Sequence, residues 1–341
     1  MRVLIAGGGL VGLTLARLLA ARGGTPVVVE RMPAGAYVRR GFMLGHHGFP
    51  ALAELGVLDA VRAAGRPIGP QPDGSCAAIA VEVGRVLAAL RTGLDVVHEH
   101  VVAGLTRDAT GRVTGAVLRH ADGAERTQPA DLVVACDGFG SGVRRMAGIE
   151  AEVLPLEEGK IEWMSPVPVA EAFAMRYLAD GGHIGLIGWP QGSFGWRTTA
   201  RVGREAALAP GLAALVRSWS ALLPAAAAGA GGLRSPDEVH YSEPALLRCA
   251  RWWVPGAVVI GDAAHFFGPE TGASAGVGMA DAHALAQAIA AHADDPDAAC
   301  ATYEALRAPA VRPLEASDPG LWRLRGARLP RGRPEERWPP G

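Results

Sequence analysis

Glycine and carboxylate recur together at three places in this 341-residue chain, and each pairing suits a ligand bearing phosphate and ribose. Gly7-Gly8-Gly9-Leu10-Val11-Gly12 satisfies G-x-G-x-x-G, and Glu30 follows about twenty residues on. Gly7 suits a tight turn, Gly9 removes the Cβ that would keep a pyrophosphate away, and Gly12 lets a helix lie close to a sheet. Glu30 is an acceptor for ribose hydroxyls. Asp137-Gly138 and Gly261-Asp262 each end an apolar run, which puts a carboxylate where the backbone passes close to a ligand. Asp122-Gly123 has the same composition but lies between hairpin strands and reads as a surface turn. The glycine string with Glu30 points to a dinucleotide without saying which one.

The elements that must position these residues follow from the apolar pattern. Residues 2–6 have strand length, residues 13–21 continue as an Ala/Leu helix stopped by Gly23-Gly24, and residues 26–30 form a second buried strand. Arg17 and Arg22 interrupt the run and exclude a signal peptide. A helix is expected over 49–64, with Leu52, Leu55, Leu58 and Val61 at helical spacing. A Gly/Pro-rich connection over 67–75 and a short helix over 83–90 come next. Strands are expected at 95–98, then a hairpin of 113–118 with 125–128, then a buried strand over 131–136. From 160 to 201, β-rich runs alternate with glycine turns, as in an antiparallel sheet inserted into the nucleotide domain. A helix over 210–223, a loop or frayed helix end over 225–232, a strand over 252–260 and a long helix over 272–291 complete the pattern. The Arg- and Pro-rich tail, 325–341, is expected to be poorly ordered.

Composition narrows the classes. The net charge of −1 gives no sign of nucleic acid or an anionic membrane, and no apolar run reaches the roughly eighteen residues of a membrane span. Cys76, Cys136, Cys249 and Cys300 lack metal-ligand spacing and read as reduced thiols in a cytoplasmic protein, with no metal expected. Lys160 is the only lysine, and the bias to Arg, Ala, Gly and Pro is that of high-GC coding.

The three motifs in their order resemble those of the FAD-dependent aromatic hydroxylases, the para-hydroxybenzoate hydroxylase-like class A monooxygenases, over about residues 1–310. That resemblance implies an α/β fold: a Rossmann-like FAD-binding domain with an interleaved antiparallel β-sheet substrate domain and C-terminal helices. The expected division is 1–70, 93–150 and 246–310 for the FAD-binding parts, 71–92 for a helical connection, 151–245 for the substrate sheet and 311–341 for the tail. Tightly bound, non-covalent FAD would then contact Gly7, Gly9, Leu10, Val11, Gly12, Glu30, Arg31, Arg40, Arg85, Asp137, Gly261, Asp262, Pro269, Gly272, Ala273 and Ser274. Asp262 would bond the ribityl chain, and free N–H groups near Gly272 to Ser274 would face the pyrimidine edge of the flavin. The chain departs from the usual Pro-x-x-Gly-x-Gly, because Ser274 replaces the second glycine and Glu270, expected to face solvent, adds a carboxylate.

The activity implied is oxygenation of an aromatic or polyketide-like small molecule by NAD(P)H and O2 through a flavin C4a-hydroperoxide, in secondary metabolism or aromatic catabolism. NAD(P)H would bind only transiently, and the assembly would be a monomer or homodimer. Among groups able to move protons, His46 leads over His47, His183 and the His240-Tyr241 pair, because it follows Arg40-Gly41; Pro269 and Gly272 complete the catalytic candidates. Met164, Met175, Tyr177, Trp189 and Trp196 are candidates to line a pocket for a flat substrate. The alternatives are a non-redox cyclisation or rearrangement on the same fold, or a flavin-dependent reductase or halogenase; the halogenase Trp-x-Trp-x-Ile-Pro motif is missing.

Overall fold

The computed structural model describes residues 1–37, 39–70, 76–179, 181–269 and 272–317. Its main sheet has six strands, in the order Trp253–Val254, Ala257–Val259, Leu132–Ala135, Val3–Ala6, Val27–Val29 and Val96–Val97. All neighbours pair in parallel except the antiparallel edge strand Trp253–Val254. The central strands are continuous aliphatic runs because both faces are covered. The helices Leu10–Ala21 and Ser274–Ala291 cover one side and pack on each other. Small residues make that contact possible: a Cβ on Gly278 would lie 2.7 Å from Val11 Cγ2.

A second, five-stranded antiparallel sheet follows the order Phe173–Tyr177, His183–Trp189, Gly192–Ala200, Glu158–Ser165 and Val239–Ser242. Alternation along its strands makes two different faces. Ile161 and Trp163 join Ile184, Leu186 and Val239 under the helix Leu212–Leu222, where Trp163 and Trp219 stack with centroids 4.3 Å apart. Ile187, Trp189, Phe194 and Trp196 point the other way, toward Ala80, Met43 and Ile68 of a small sheet formed by Gly41–Gly45, Cys76–Glu82 and Arg66–Pro70. A Rossmann-like domain with an interleaved antiparallel sheet and C-terminal helices is therefore the architecture.

Local departures have local causes. The helix expected over 49–64 is two, Phe49–Glu54 and Leu58–Ala64, broken where Gly56 turns at φ +67°. The strand expected over 252–260 is a two-strand hairpin around Gly256, φ +79°. The hairpin beginning at Val113 gains a third strand, His100–Arg107, whose alternation is broken by register shifts at Val102/Gly104 and Thr106/Arg107. The connection expected to be helical over 71–92 begins, within its described part, with the buried strand Cys76–Glu82 before the helix Val83–Arg91. The end of the apolar run over 225–232 holds a short helix, Ala226–Ala230. Glu270 and residues 325–341 lie outside the described residues.

The glycine turn is the tightest point of the fold. A Cβ on Gly12 would sit 2.0 Å from the Gly7 carbonyl oxygen, whereas one on Gly9 meets nothing within 4 Å. Gly12→Ala is therefore expected to destabilise the protein by about 1–3 kcal/mol. Gly9→Ala should cost less than about 1 kcal/mol, the difference between glycine and alanine at a helix N-cap. Urea unfolding midpoints check both, and equal losses would refute the contrast.

Candidate active site

Register brings the motifs to one edge. Ala6 pairs with Ala135 and with Val29, and Ala135 pairs with Val259, so four parallel strands end level. The residues that follow, Gly7, Cys136-Asp137, Ile260-Gly261-Asp262 and Glu30, meet at the carboxyl edge of the sheet, where α/β folds take ligands. Gly7 has φ +111°, and a Cβ there would be 2.3 Å from the Cys136 carbonyl oxygen. The helix Leu10–Ala21 opens on Gly9 with no side-chain cap, leaving its first N–H groups for an anion. The Glu30 carboxylate accepts from Gly8 N at 2.7 Å and Met32 N at 2.8 Å, so it shapes the loop as well as offering acceptors at the edge. Arg31 is exposed beside it, and Leu10 and Val11 are half-buried in the helix's first turn.

The two Asp-Gly motifs take different roles. Asp137 accepts from the Ser141 hydroxyl and from Gly142 N and Val143 N, so both its oxygens serve the helix that follows. Arg144 is buried and donates to the carbonyls of Ala263 at 2.8 Å and Phe139 at 3.0 Å, tying this turn to the late motif. Asp137 thus shapes its own loop at the edge where the sequence expects it to meet the cofactor. Asp262 makes no hydrogen bond among the described residues. Burial pushes its carboxyl up to about 6, opposed by the charges of His265 and Arg40. Its neighbour Gly261 is fixed by Asp281, which accepts from Gly261 N at 3.1 Å, pairs with His265 Nε2 at 2.7 Å and with Arg307 Nε at 2.8 Å. Burial alone would raise the Asp281 carboxyl, but His265 and Arg307 bring it below its ordinary value.

FAD fits this edge. Its pyrophosphate would lie over the open side of Gly9, its ribityl hydroxyls against the unbonded Asp262, and its ring edge against Ser274, whose buried Oγ has no partner among the described residues. Ser274 begins the long helix after its N-cap, Ala273, and Gly272 precedes them at φ +60°. Pro269 is half-buried at the start of the same loop. The turn holding His46 lies on that helix too, since a Cβ on Gly276 would be 2.9 Å from Gly45 O. Arg85 is exposed in the first turn of its helix, beside Tyr37, whose phenol is raised chiefly by its hydrogen bond to Glu82.

Arg40 goes elsewhere than its neighbours. Its guanidinium pairs with Glu162 of the second sheet at 2.6 Å while its charge still acts on Asp262, so it bridges the cofactor edge and the sheet. Four of the candidate pocket residues, Met164, Met175, Trp189 and Trp196, do gather, together with Met43. Met43 Cε in turn lies 2.6 Å from where a Cβ on Gly272 would be, so this cluster touches the flavin loop. Tyr177 stands apart at the strand end, 43% exposed and against His183. Lys160, Glu162, His265 and Asp281 lie near these groups without having been candidates; the single lysine of an arginine-rich chain was visible in the sequence, its burial was not.

Comparison with known proteins agrees with this geometry. The family profile described as FAD binding domain matches residues 1–73 and 71–317. Aurachin C monooxygenase/isomerase of Stigmatella aurantiaca is 30% identical over 338 residues, covering 90% of this chain and 85% of that protein. The 2-heptyl-3-hydroxy-4(1H)-quinolone synthase of Mycobacteroides abscessus is 28% identical over 355 residues, covering 94% and 89%. Among solved structures, P. aeruginosa PqsL in complex with 2-aminobenzoylacetate superposes with a TM-score of 0.79 at 21% identity, covering 93% of this chain and 94% of that one. The tetrameric form of 2-methyl-3-hydroxypyridine-5-carboxylic acid oxygenase gives 0.77 at 19%, covering 95% and 91%.

The raised carboxyl of Asp262 has a signed consequence. In flavin-free protein it binds a proton more tightly folded than unfolded, so its contribution is present below its ordinary value of 3.8 and is lost as pH rises through about 6. Flavin-free Asp262→Asn should therefore match the parent near about pH 4 and exceed its melting temperature near about pH 8, while binding FAD about tenfold or more weakly. Calorimetry at the two pH values and flavin titration check it; undiminished FAD affinity would remove Asp262 from the cofactor site.

Proposed function

This chain belongs to the FAD binding domain family and within it to the FAD-dependent aromatic hydroxylases, and on that footing we propose that its substrate is an oxo- or hydroxy-heteroaromatic of the quinolone kind. It is an FAD-dependent monooxygenase. FAD, when bound, would supply the capacity to transfer one oxygen atom of O2, with transiently bound NAD(P)H as the source of electrons. The chain's own residues hold and orient. The Gly7–Gly12 turn and its helix end would hold the pyrophosphate, Glu30 the ribose and Asp262 the ribityl hydroxyls. The first N–H groups of the helix beginning at Ser274 and the Ser274 hydroxyl would face the flavin ring and stabilise negative charge there.

The observation that carries the substrate reading is the face formed by Phe173, Trp189, Phe194, Trp196, Met164 and Met175, joined through Met43 to Gly272 at the flavin loop. A flat ligand reaching the edge of this buried cluster would find apolar contact and a dry environment there. The name of the relative with 2-heptyl-3-hydroxy-4(1H)-quinolone as product gives the ring class. A second reading, oxygenation followed by rearrangement, is favoured by the double name of the other relative, monooxygenase/isomerase. Free cysteines among the described residues support a cytoplasmic enzyme, and we propose a monomer or homodimer.

Purified protein should carry FAD, and 2-heptyl-4(1H)-quinolone should accelerate NAD(P)H oxidation under air more than simple phenols do. Mass spectrometry should show a product heavier by one oxygen atom drawn from isotope-labelled O2. A product isomeric with the substrate, or a flavin that neither nicotinamide reduces with substrate present, would overturn the monooxygenase reaction on this ring class.

A further inference from the structure

Of the 33 lysine and arginine residues of this chain all but one are arginine, and the exception, Lys160, is 4% exposed on the strand Glu158–Ser165. Where a position needs only positive charge, this chain uses arginine. A buried lysine in such a chain marks a place where a compact, rotatable cation does what a planar guanidinium fork does not. In-register pairing of Glu162 with Trp196 and of Met164 with Phe194 puts Lys160, Glu162 and Met164 on the aromatic face, away from Ile161 and Trp163. Glu162 is also 4% exposed, and one of its oxygens lies 3.4 Å from Lys160 Nζ and 2.6 Å from Arg40 Nη2.

These charges sit over rings. Lys160 Nζ is 5.3 Å from the centroid of Trp196, and Arg40 Cζ is 5.6 Å from that of Phe194. Gly185 lets the Trp196 indole lie flat on the sheet, since a Cβ there would be 2.4 Å from indole Cζ2. Lys160 and Glu162 are buried while the Arg40 side chain is 46% exposed, and burying an ammonium with a carboxylate is a weak way to stabilise a sheet whose opposite face packs mainly through aliphatic and indole groups. The geometry fits recognition of a polar group on a flat ligand.

We propose that Lys160 is a substrate-binding residue: its ammonium takes the acidic ring oxygen of the oxo- or hydroxy-heteroaromatic, Glu162 accepts a remaining O–H or N–H of that molecule, and Arg40 holds Glu162 in position. Lys160 thereby favours the anionic, electron-rich form of the ring. This assignment rests on the substrate reading above, and Trp196 and Phe194 supply the flat contact around it.

The single lysine makes the test direct. Isotope-labelled lysine gives one side-chain NMR signal in the FAD-loaded enzyme, to be titrated with 2-heptyl-4(1H)-quinolone and with its 4-methoxy derivative, which has no acidic oxygen. The quinolone should shift the Lys160 signal and the ether should not. Lys160→Met should raise the quinolone Kd about tenfold or more, as for a lost charge-assisted hydrogen bond, with FAD content unchanged, and Lys160→Arg should recover part of the loss. Glu162→Gln should keep the fold and weaken binding by a similar factor. If the quinolone binds the parent enzyme but leaves the signal and the Lys160→Met Kd unaltered, the assignment is overturned while the substrate reading stands. If the quinolone does not bind the parent enzyme, the substrate reading fails and the assignment falls with it. Should the Lys160→Met protein not fold, the parent titration alone decides.

Discussion

The level ending of four parallel strands is the constraint on which the candidate site depends. Because Ala6, Ala135, Val29 and Val259 stand abreast, residues from distant parts of the chain leave the sheet at the same height. A slip of one residue in any strand would exchange its two faces as well as move its terminal carboxylate, and both sides of this sheet are packed. The backbone crossing of Gly7 beneath Gly12, and of Gly7 against Cys136, seals that alignment, since any side chain there would force the turns apart. The hydrophobic core thus specifies where the polar ligand lies.

The second sheet carries the other half of the site through an asymmetry of its faces. On one strand, Ile161 and Trp163 go to an apolar core closed by Trp219, while Lys160 and Glu162 go to the side shared with Trp196. Arg40 reaches that side from the nucleotide domain and places its charge between Asp262 and Glu162. The Arg40 side chain is 46% exposed and Glu162 buried, so the pair adds little net stability, yet separating it would leave the buried Glu162 carboxylate without its guanidinium. The Arg40–Glu162 pair therefore constrains how the sheet sits over the cofactor edge.

Legibility in the sequence followed how local each cause was. The glycine turn, the strand ends and the flanking helices were readable because each is built from neighbours in the chain, with spacing that only one geometry satisfies. The break at Gly56 was not, because Leu52, Leu55, Leu58 and Val61 keep helical spacing across two helices that happen to share a buried side. The strand His100–Arg107 was hidden by irregular register, which erases the alternation that announces a strand. The pocket cluster was half-visible: Met164, Met175, Trp189 and Trp196 come together, but Met43 joins them from over a hundred residues away, through tertiary contact alone. Tyr177 shares strand parity with Met175 yet lies at a strand end, beyond the reach of the packing that buries its neighbours.

Asp137 and Asp262 show why a motif is weaker than its surroundings. Each follows a buried strand of the same sheet, and each adjoins a glycine, so by sequence they are equivalent. Asp137 is followed four residues later by Ser141 and by a helix whose first N–H groups need an acceptor, and its carboxylate is taken by them. The turn at Asp262 is instead held from behind: Asp281 accepts from Gly261 N, and Arg144 donates to Ala263 O. With its neighbours satisfied by other groups, Asp262 keeps its own oxygens unbonded in a partly dehydrated place, and burial raises its carboxyl. An unspent acceptor at the edge of a nucleotide-binding sheet suits hydroxyl donors, such as the ribityl chain of FAD would bring. What separates the unspent carboxylate from the spent one is the company each keeps: that of Asp137 is local, whereas the turn of Asp262 is held by residues brought in through tertiary contact.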